Sequence, residues 1–245
     1  MVNFKCLVAY DGTDFAGYQR QDSHRTVQGE LEKAVEKVFG EHTVVYASGR
    51  TDSGVHASGQ VINFRARQKV PVDRIPIALN SILPKDVAVK KAAEVPDSFH
   101  ARKDAIRKTY QYRIYNNKIP SPFWRRYSLF VPSDLDADKM AQAAKLFMGK
   151  HDFQSFQSKG SHITKTMRQV TRANVKRVDD MVVFTVSANG FLYNMVRIMA
   201  GTLIQVGRNK RAPQDMDQII QACDRMKAGP TIPPHGLSLE EVEYP

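Results

Sequence analysis

The chain has 245 residues, of which 42% are hydrophobic and 25% charged, a composition typical of a globular protein with a sizeable core. Lysine and arginine number 36 against 25 acidic residues, so the formal net charge is +11, an excess typical of nucleic-acid binders. The two cysteines, Cys6 and Cys223, are too few for a disulfide framework or a zinc site, and no apolar run reaches the ~18 residues of a membrane span. These features predict a protein of the reducing cytoplasm.

The first half of the chain predicts the element order β-α-β-β-α-β. Thr26 is expected to cap the first helix, Gly40 to follow it, and Pro76 to lie in the first turn of the second helix. From hydrophobic periodicity and turn residues the six elements are Phe4–Tyr10, Thr26–Phe39, Thr43–Tyr46, Gln60–Phe64, Asp73–Leu83 and Asp86–Val95.

The second half predicts a similar order with one additional helix. Its strands are Lys108–Tyr115, Arg168–Val178, Met181–Ala188 and Leu237–Tyr244, and its helices are 136–148, 191–203 and 213–226. Asp179 and Asp180 are expected to form a hairpin turn, and the segments 120–130 and 151–160 are expected to be loops, the latter mobile.

The repeated order predicts an α+β fold of two pseudo-repeated ferredoxin-like halves, comprising residues 1–105 and 106–245. We expect a mainly antiparallel sheet with the helices on one side. A turn that carries Asp52 belongs to the N-terminal half, and a cleft between the halves is the expected place for an active site.

A polar turn from Ser48 to Ala57 lies between two β-branched runs and presents Asp52 two residues from Arg50. The neighbouring positive charge favours the ionised carboxylate, which can act as a nucleophile, a general base or a metal ligand. Metal binding is the weakest of these, because His56 is alone and a hard cation needs several oxygen ligands. An Arg–Asp pair that only pins the turn is the structural alternative.

The nine residues from Gly49 to Ala57, Gly-Arg-Thr-Asp-Ser-Gly-Val-His-Ala, resemble the active-site signature of the pseudouridine synthases that act on tRNA positions 38, 39 and 40. Tyr18 stands where many relatives carry Trp, and Ser48 and Ser53 stand where alanine is common. The resemblance continues through the segments Tyr10–Thr13, Gly17–Gln19, Phe99–Arg102, Lys108–Tyr112, Asp152–Phe153, Arg168, Asn189–Phe191, Met195–Arg197, Gly201 and Gly236–Leu237.

The resemblance implies an isomerase that needs no metal and no cofactor, with Asp52 as its catalytic nucleophile. Arg50 would orient Asp52 and occupy the gap left by the flipped base, and Tyr110 would stack on the target base. Arg197 resembles a second arginine at the floor of the site, and Leu237 an apolar wall of the uracil pocket. Further substrate contacts are predicted at Gln19, His56 and Arg168.

The resemblance also implies two partners, tRNA through its anticodon stem-loop and body, and a second copy of the chain in a homodimer. Arg168, Arg172 and Lys176 are four residues apart on a predicted strand and are expected to form an RNA-facing stripe. Two alternatives stay open: the same chemistry on another RNA, and a non-catalytic chaperone that binds tRNA. Asp52 favours an enzyme over the chaperone, because a carboxylate facing phosphates weakens binding.

Overall fold

The computed structural model describes residues 1–160 and 163–245, and its strands and helices are divided between two units. The first unit consists of Met1–Ile106 together with Ser238–Pro245, and the second consists of Arg107–Leu237. The assignment of residues 106–245 to one C-terminal half stays a prediction, and in the structure the last eight residues of that range lie in the first unit.

The first unit contains antiparallel strands with helices in the connections between them. Its elements are β1 (Val2–Tyr10), α1 (Val27–Phe39), β2 (Tyr46–Ala47), β3 (His56–Ala66), α2 (Ile75–Asn80) and β4 (Val87–Val95). β1 lies between β3 and β4 and is antiparallel to both, while β2 pairs with β3. The element order predicted for this half is confirmed, although β2 is only two residues long.

The core of the first unit is built around three phenylalanine rings from β1, α1 and β3. The ring centroids of Phe4, Phe39 and Phe64 lie 5.5–5.7 Å apart, and all three side chains are fully buried. The predicted ends of α1 are confirmed, since the Thr26 side chain accepts a first-turn amide hydrogen bond and Gly40 follows in the left-handed conformation.

The second unit has four antiparallel strands in the spatial order β5-β9-β8-β7, and a short strand, β6, that runs parallel to β5. The hairpin turn predicted at Asp179 and Asp180 is confirmed between β8 and β9. The elements of the second unit are β5 (Arg107–Tyr115), β6 (Leu129–Phe130), α3 (Ala137–Lys145), β7 (Gly149–Asp152), β8 (Met167–Val178), β9 (Met181–Ala188), α4 (Met195–Gly207) and α5 (Asp215–Gln221).

The first part of the predicted loop 151–160 forms regular structure, whereas residues 157–160 contain no helix or strand. Phe153 and Phe156 are fully buried, and the ring of Phe156 packs edge-to-face on Phe147 at 5.2 Å. β7 and a short 3-10 turn at Gln154–Phe156 place these rings in the core. The prediction is wrong here because two aromatic side chains outweigh their polar neighbours.

Of the two helices after β9, α4 lies four residues later than predicted and α5 is shorter than predicted. α4 begins at Met195 rather than at Phe191, because Asn194 adopts a left-handed conformation with φ +59°, which a continuous right-handed helix does not allow. α5 ends at Gln221, and Cys223 two residues later also has positive φ, +47°.

The closing strand, β10 (Leu237–Glu243), pairs in parallel with β3 through Ser238 opposite His56 and Leu239 opposite Ala57. This pairing explains why the last residues lie in the first unit. The chain therefore has an α+β fold with mostly antiparallel strand pairing. The pseudo-repeat and the placement of all helices on one side stay predictions.

Candidate active site

Asp52 lies in the connection between β2 and β3, residues 48–55, which we call the Asp52 loop. Its side chain is half-buried, and that of Arg50 is exposed. The loop closes on itself through a hydrogen bond from the Val55 amide to the Asp52 carbonyl, 3.1 Å, and Gly54 has φ +76°. This turn holds Asp52 close to His56, the first residue of β3.

The loop that follows β1 packs directly against the Asp52 loop. The Tyr18 amide donates to the Thr51 carbonyl at 3.0 Å, and the Ser53 hydroxyl donates to the Phe15 carbonyl at 3.0 Å. Gly17 makes this approach possible, because its φ is +107° and a Cβ there would lie 3.1 Å from the Thr51 carbonyl oxygen. Two loops distant in sequence are thus locked together around Asp52.

A buried polar network supports the Asp52 loop from the strands below it. The Tyr10 hydroxyl on β1 lies 2.8 Å from the Thr51 hydroxyl, and Gln60 Nε2 on β3 donates to the Tyr10 hydroxyl at 3.3 Å. Gln60 Nε2 also donates to the Gly49 carbonyl at 2.9 Å, while its Oε1 accepts from the Ser48 hydroxyl at 2.6 Å. Burial raises the pKa of Tyr10 to about 12, so this phenol stays protonated.

His56, a predicted substrate contact, is buried at the start of β3. Its Nδ1 accepts a hydrogen bond from the Gly12 amide at 3.0 Å and lies 3.1 Å from Asp11 Oδ1. A Cβ on Gly12 would overlap the Val55 carbonyl, so the chain can come this close only with glycine. The imidazole therefore joins the end of the Asp52 loop to the end of β1, and its contact with substrate stays a prediction.

Tyr110 lies on β5 of the second unit, where Val186 of β9 is opposite it. Its side chain is 8% exposed, and its ring meets Phe191 edge-to-face at 5.1 Å with an interplanar angle of 84°. This packing fixes the orientation of the tyrosine ring.

Arg197 is half-buried in the first turn of α4 and is held by two hydrogen bonds within the second unit. Its Nε donates to the Ile232 carbonyl and its Nη1 to Asn194 Oδ1, each at 2.7 Å. Asn194 Nδ2 in turn donates to the Ser158 hydroxyl at 3.0 Å. The guanidinium plane is therefore set by the unusual left-handed residue that precedes α4.

Leu237 is buried at the junction of a 3-10 turn and β10. Its neighbour Gly236 packs so closely that a Cβ would lie 2.8 Å from the Tyr112 ring and from the Arg113 carbonyl oxygen. The Tyr112 hydroxyl donates to the Pro233 carbonyl at 2.7 Å, and burial raises the pKa of this phenol, against a smaller opposing effect of the nearby Arg197 charge. Leu237 is thus held on a rigid support.

Arg168 does not share a face with Arg172 and Lys176, so the predicted stripe of three cations is wrong. A β-bulge between Val170 and Arg172 shifts the alternation of β8 by one residue, and places Arg168 on the side of the buried Val170. Arg168 Nη1 donates to the Lys165 and Met167 carbonyls, and burial lowers the pKa of its guanidinium. Arg172 and Lys176 are exposed on the other face.

Residues 7–104 and 143–245 match the protein family described as tRNA pseudouridine synthase. The protein named tRNA pseudouridine synthase A from Moorella thermoacetica is 50% identical over 242 residues, 98% of each chain. The chain belongs to the tRNA pseudouridine synthase family. A second relative of the same name, from Brevibacillus brevis, is 47% identical over 244 residues, 100% of each chain.

Among solved structures, a Cbf5-Nop10-Gar1 complex is similar at a TM-score of 0.38 and 14% identity, with 82% of this chain and 45% of that chain covered. As a member of the tRNA pseudouridine synthase family, the chain is a tRNA-modifying isomerase. Within residues 1–160 and 163–245 there is no group of three or more His, Cys, Asp or Glu side chains that could hold a metal ion. No helix in those same ranges is long and apolar enough to cross a bilayer.

Sequence reasoning missed the side chains that position the Asp52 loop in this pseudouridine synthase, namely Tyr10, Thr51 and Gln60. The available signal was a glutamine and a tyrosine at strand positions that alternation assigns to the core. A buried polar side chain in a strand requires a partner, and the neighbouring turn supplies one. The register between β1 and β3, which brings the partners together, is not readable from either strand alone.

Proposed function

We propose that this chain isomerises uridine to pseudouridine at positions 38, 39 and 40 in the anticodon stem-loop of tRNA, with Asp52 as the nucleophile. The observation that carries the proposal is the family match, which spans 7–104 and 143–245 and includes the Asp52 loop. The name of the full-length relatives, tRNA pseudouridine synthase A, supports tRNA as the substrate.

The reaction breaks the N1–C1′ bond of uridine and forms a C5–C1′ bond. The hydrogen at C5 leaves as a proton and N1 gains one, so the product is an isomer and no oxidant or reductant is consumed. The Asp52 carboxylate supplies the electron pair that attacks the nucleoside and regains it when the new bond is complete. The hydrogen bonds that Tyr10, Gln60 and Tyr18 make to the Asp52 loop are suited to hold the carboxylate in position for this attack.

The target base must leave the RNA stack before Asp52 can reach it, which costs a few kcal/mol. We propose that Tyr110 stacks on the flipped base, a contact worth ~1–3 kcal/mol, and that Arg50 occupies the gap in the RNA. The Tyr110 ring is already fixed by Phe191, so little ordering is needed on binding. Leu237 is proposed as an apolar wall of the uracil pocket, and Arg197 as a cation that pairs with the reacting carboxylate.

The net charge of +11 supports binding of a folded RNA through its phosphates, with recognition largely by shape. We place Gln19, His56 and Arg168 among the substrate contacts, and we propose that the chain works as a homodimer in the cytoplasm. The logarithm of tRNA affinity should fall linearly with the logarithm of salt concentration. A flat response between about 50 and 200 mM salt would contradict a binding mode dominated by phosphates.

The Asp52→Asn variant tests the nucleophile. Tritium release from tRNA labelled at C5 of uridine should fall by at least about 10³-fold, while tRNA affinity changes only a few-fold. Asp22→Asn, at an exposed loop carboxylate in the same unit, serves as the matched control and should keep full activity. Turnover by Asp52→Asn within about tenfold of the wild-type rate would show that another group attacks the nucleoside.

The target is tested by mapping pseudouridine in total RNA from cells with and without the gene. Loss of the modification at positions 38–40 of tRNA, and its return when the gene is restored, is the expected result. Loss at sites in another RNA would assign the same chemistry to a different substrate. No loss anywhere, with tRNA binding intact, would favour the chaperone.

A further inference from the structure

A cavity of about 600 Å³ opens in the first unit beside the Asp52 loop. The volume lies within the range of roughly 300–1,000 Å³ that is typical of small-molecule sites. Aromatic and cationic side chains dominate its walls, which include Tyr18, Tyr46, Arg50, His100, Arg102 and Lys103.

Two aromatic rings form one wall of this cavity. The rings of Tyr46 and His100 lie 4.9 Å apart between centroids, and the tyrosine side chain is 46% exposed. The His100 ring is held in place, because its Nδ1 accepts from the Arg102 amide at 3.1 Å and its own amide donates to Asp104 Oδ2 at 2.8 Å. Such a wall offers a face on which a nucleobase can stack.

The charged side chains that line the cavity are all cationic. Arg50, Arg102 and Lys103 are exposed at its rim, and neither aspartate nor glutamate is among the described residues that line it. An anionic group that enters is therefore attracted by three cations.

Tyr18 also lines the cavity, but its side chain is only 3% exposed and its hydroxyl oxygen is closed to solvent, so this tyrosine contributes wall surface and no hydrogen bond to an occupant.

We propose that this cavity is a second nucleotide subsite, which holds one unpaired nucleotide of the substrate RNA beside the target uridine. Its base stacks on Tyr46 and His100, and its phosphate faces Arg102 and Lys103. Arg50 lines the cavity and is two residues from Asp52, so their Cα atoms are at most about 7 Å apart. The nucleotide is therefore one or two positions from the target. This inference rests on the proposed function, since it takes RNA as the substrate.

The signature of the subsite is a loss of RNA affinity without a loss of protein stability. Tyr46→Ala, which removes an exposed ring, should weaken binding of an anticodon stem-loop RNA by about 5- to 100-fold while the melting temperature of the free protein changes little. Tyr127→Ala, at a comparably exposed tyrosine of the second unit, is the control and should stay within twofold. Unchanged RNA affinity in Tyr46→Ala would overturn the proposal.

Crosslinking locates the nucleotide directly. 4-Thiouridine is placed at one unpaired position at a time in the stem-loop RNA, the full-length Asp52→Asn protein is irradiated with it, and tryptic peptides are sequenced. One position beside the target should label peptide 38–50, which carries Tyr46, or peptide 92–102, which carries His100. Labelling should disappear in the Tyr46→Ala and His100→Ala backgrounds.

Three other outcomes are distinguishable. If the wild-type protein makes pseudouridine in the same RNA and no position labels either peptide, the subsite is wrong and the proposed function stands. If the peptides are labelled and no pseudouridine forms, the cavity is an RNA site and the proposed function fails. If uridine monophosphate or inorganic phosphate alone saturates the cavity and RNA does not compete, the cavity belongs to a small molecule and the proposal is overturned.

Discussion

Tyr10 and Tyr18 provide a matched pair of substitutions in one core. The two rings are 6.4 Å apart, both side chains are less than 5% exposed, and each loses only a hydroxyl on mutation to phenylalanine. The Tyr10 hydroxyl contacts Thr51 and Gln60, whereas the Tyr18 hydroxyl has no partner among the described residues. We predict that Tyr10→Phe lowers the stability of the protein and that Tyr18→Phe does not.

The magnitudes follow from these contacts. Tyr10→Phe removes one hydrogen bond of 2.8 Å and one of 3.3 Å and leaves buried groups of Thr51 and Gln60 with fewer partners, which should cost ~1–3 kcal/mol of unfolding free energy. For a chain of this length the melting temperature should fall by about 2–12 °C. Tyr18→Phe removes a buried hydroxyl that makes no hydrogen bond, and should leave the unfolding free energy unchanged or raise it by ~1 kcal/mol.

Activity separates positioning from stability. The Tyr10 hydroxyl contacts the Thr51 hydroxyl, next to Asp52 in the chain. If Asp52 is the nucleophile, as proposed, Tyr10→Phe should lower kcat by about 10- to 100-fold with little change in KM, because displacing that group affects the chemical step. Urea unfolding followed by circular dichroism gives the stability, and tritium release gives the rate. Equal shifts of the urea midpoint in both variants, or unchanged kcat in Tyr10→Phe, would refute the roles assigned to the two hydroxyls.

Three more predictions follow from the geometry. Gly17→Ala should lower both stability and kcat, because it adds a Cβ at φ +107° only 3.1 Å from the Thr51 carbonyl oxygen. Gly160→Ala, at φ +84° in open space, should lose only the ~1–2 kcal/mol of unfolding free energy that the backbone conformation costs. Equal losses in the two variants would contradict the role of the close contact between residue 17 and Thr51. Arg197→Lys should lower kcat, measured by tritium release, by at least about tenfold, because an ammonium cannot reproduce the two hydrogen bonds that Nε and Nη1 of the guanidinium make. A kcat equal to that of the wild type would exclude the proposed pairing of Arg197 with the reacting carboxylate. Because the pKa of Tyr10 is raised to about 12 in the folded state, its contribution to stability should be complete below pH 10. That contribution should be lost at about 1.4 kcal/mol per pH unit as the pH rises from 10 to about 12. An equal fall of the urea midpoint with pH in wild type and in Tyr10→Phe would argue against this assignment.

The sequence was most informative where chemistry and local geometry coincide. The turn that carries Asp52 was readable because glycines, a charged pair and flanking β-branched runs are all local signals, and the caps of α1 at Thr26 and Gly40 were readable for the same reason. The family match includes the nine-residue signature that this turn contains.

Features that depend on distant contacts were not readable. The bulge between Val170 and Arg172 separates Arg168 from the other cations of its strand, and it exists only in the pairing of β8 with β9. The late start of α4 at Met195 depends on one residue, Asn194, whose left-handed conformation is stabilised by bonds to Arg197 and Ser158. Periodicity records which residues are apolar, and says nothing of such local reversals.

The pairing of β10 with β3 affects how the protein folds while the ribosome synthesises it. The strand that completes the sheet of the first unit is separated from Ile106 by the whole second unit, Arg107–Leu237. At roughly 5–20 residues per second, translation needs about 7–26 s to deliver it. During that interval the edge of β3 at His56 and Ala57, next to Asp52, has no strand beside it, and an open edge can pair with other chains. The strand edge that follows the Asp52 loop is therefore completed last, although its own residues are among the first to be made.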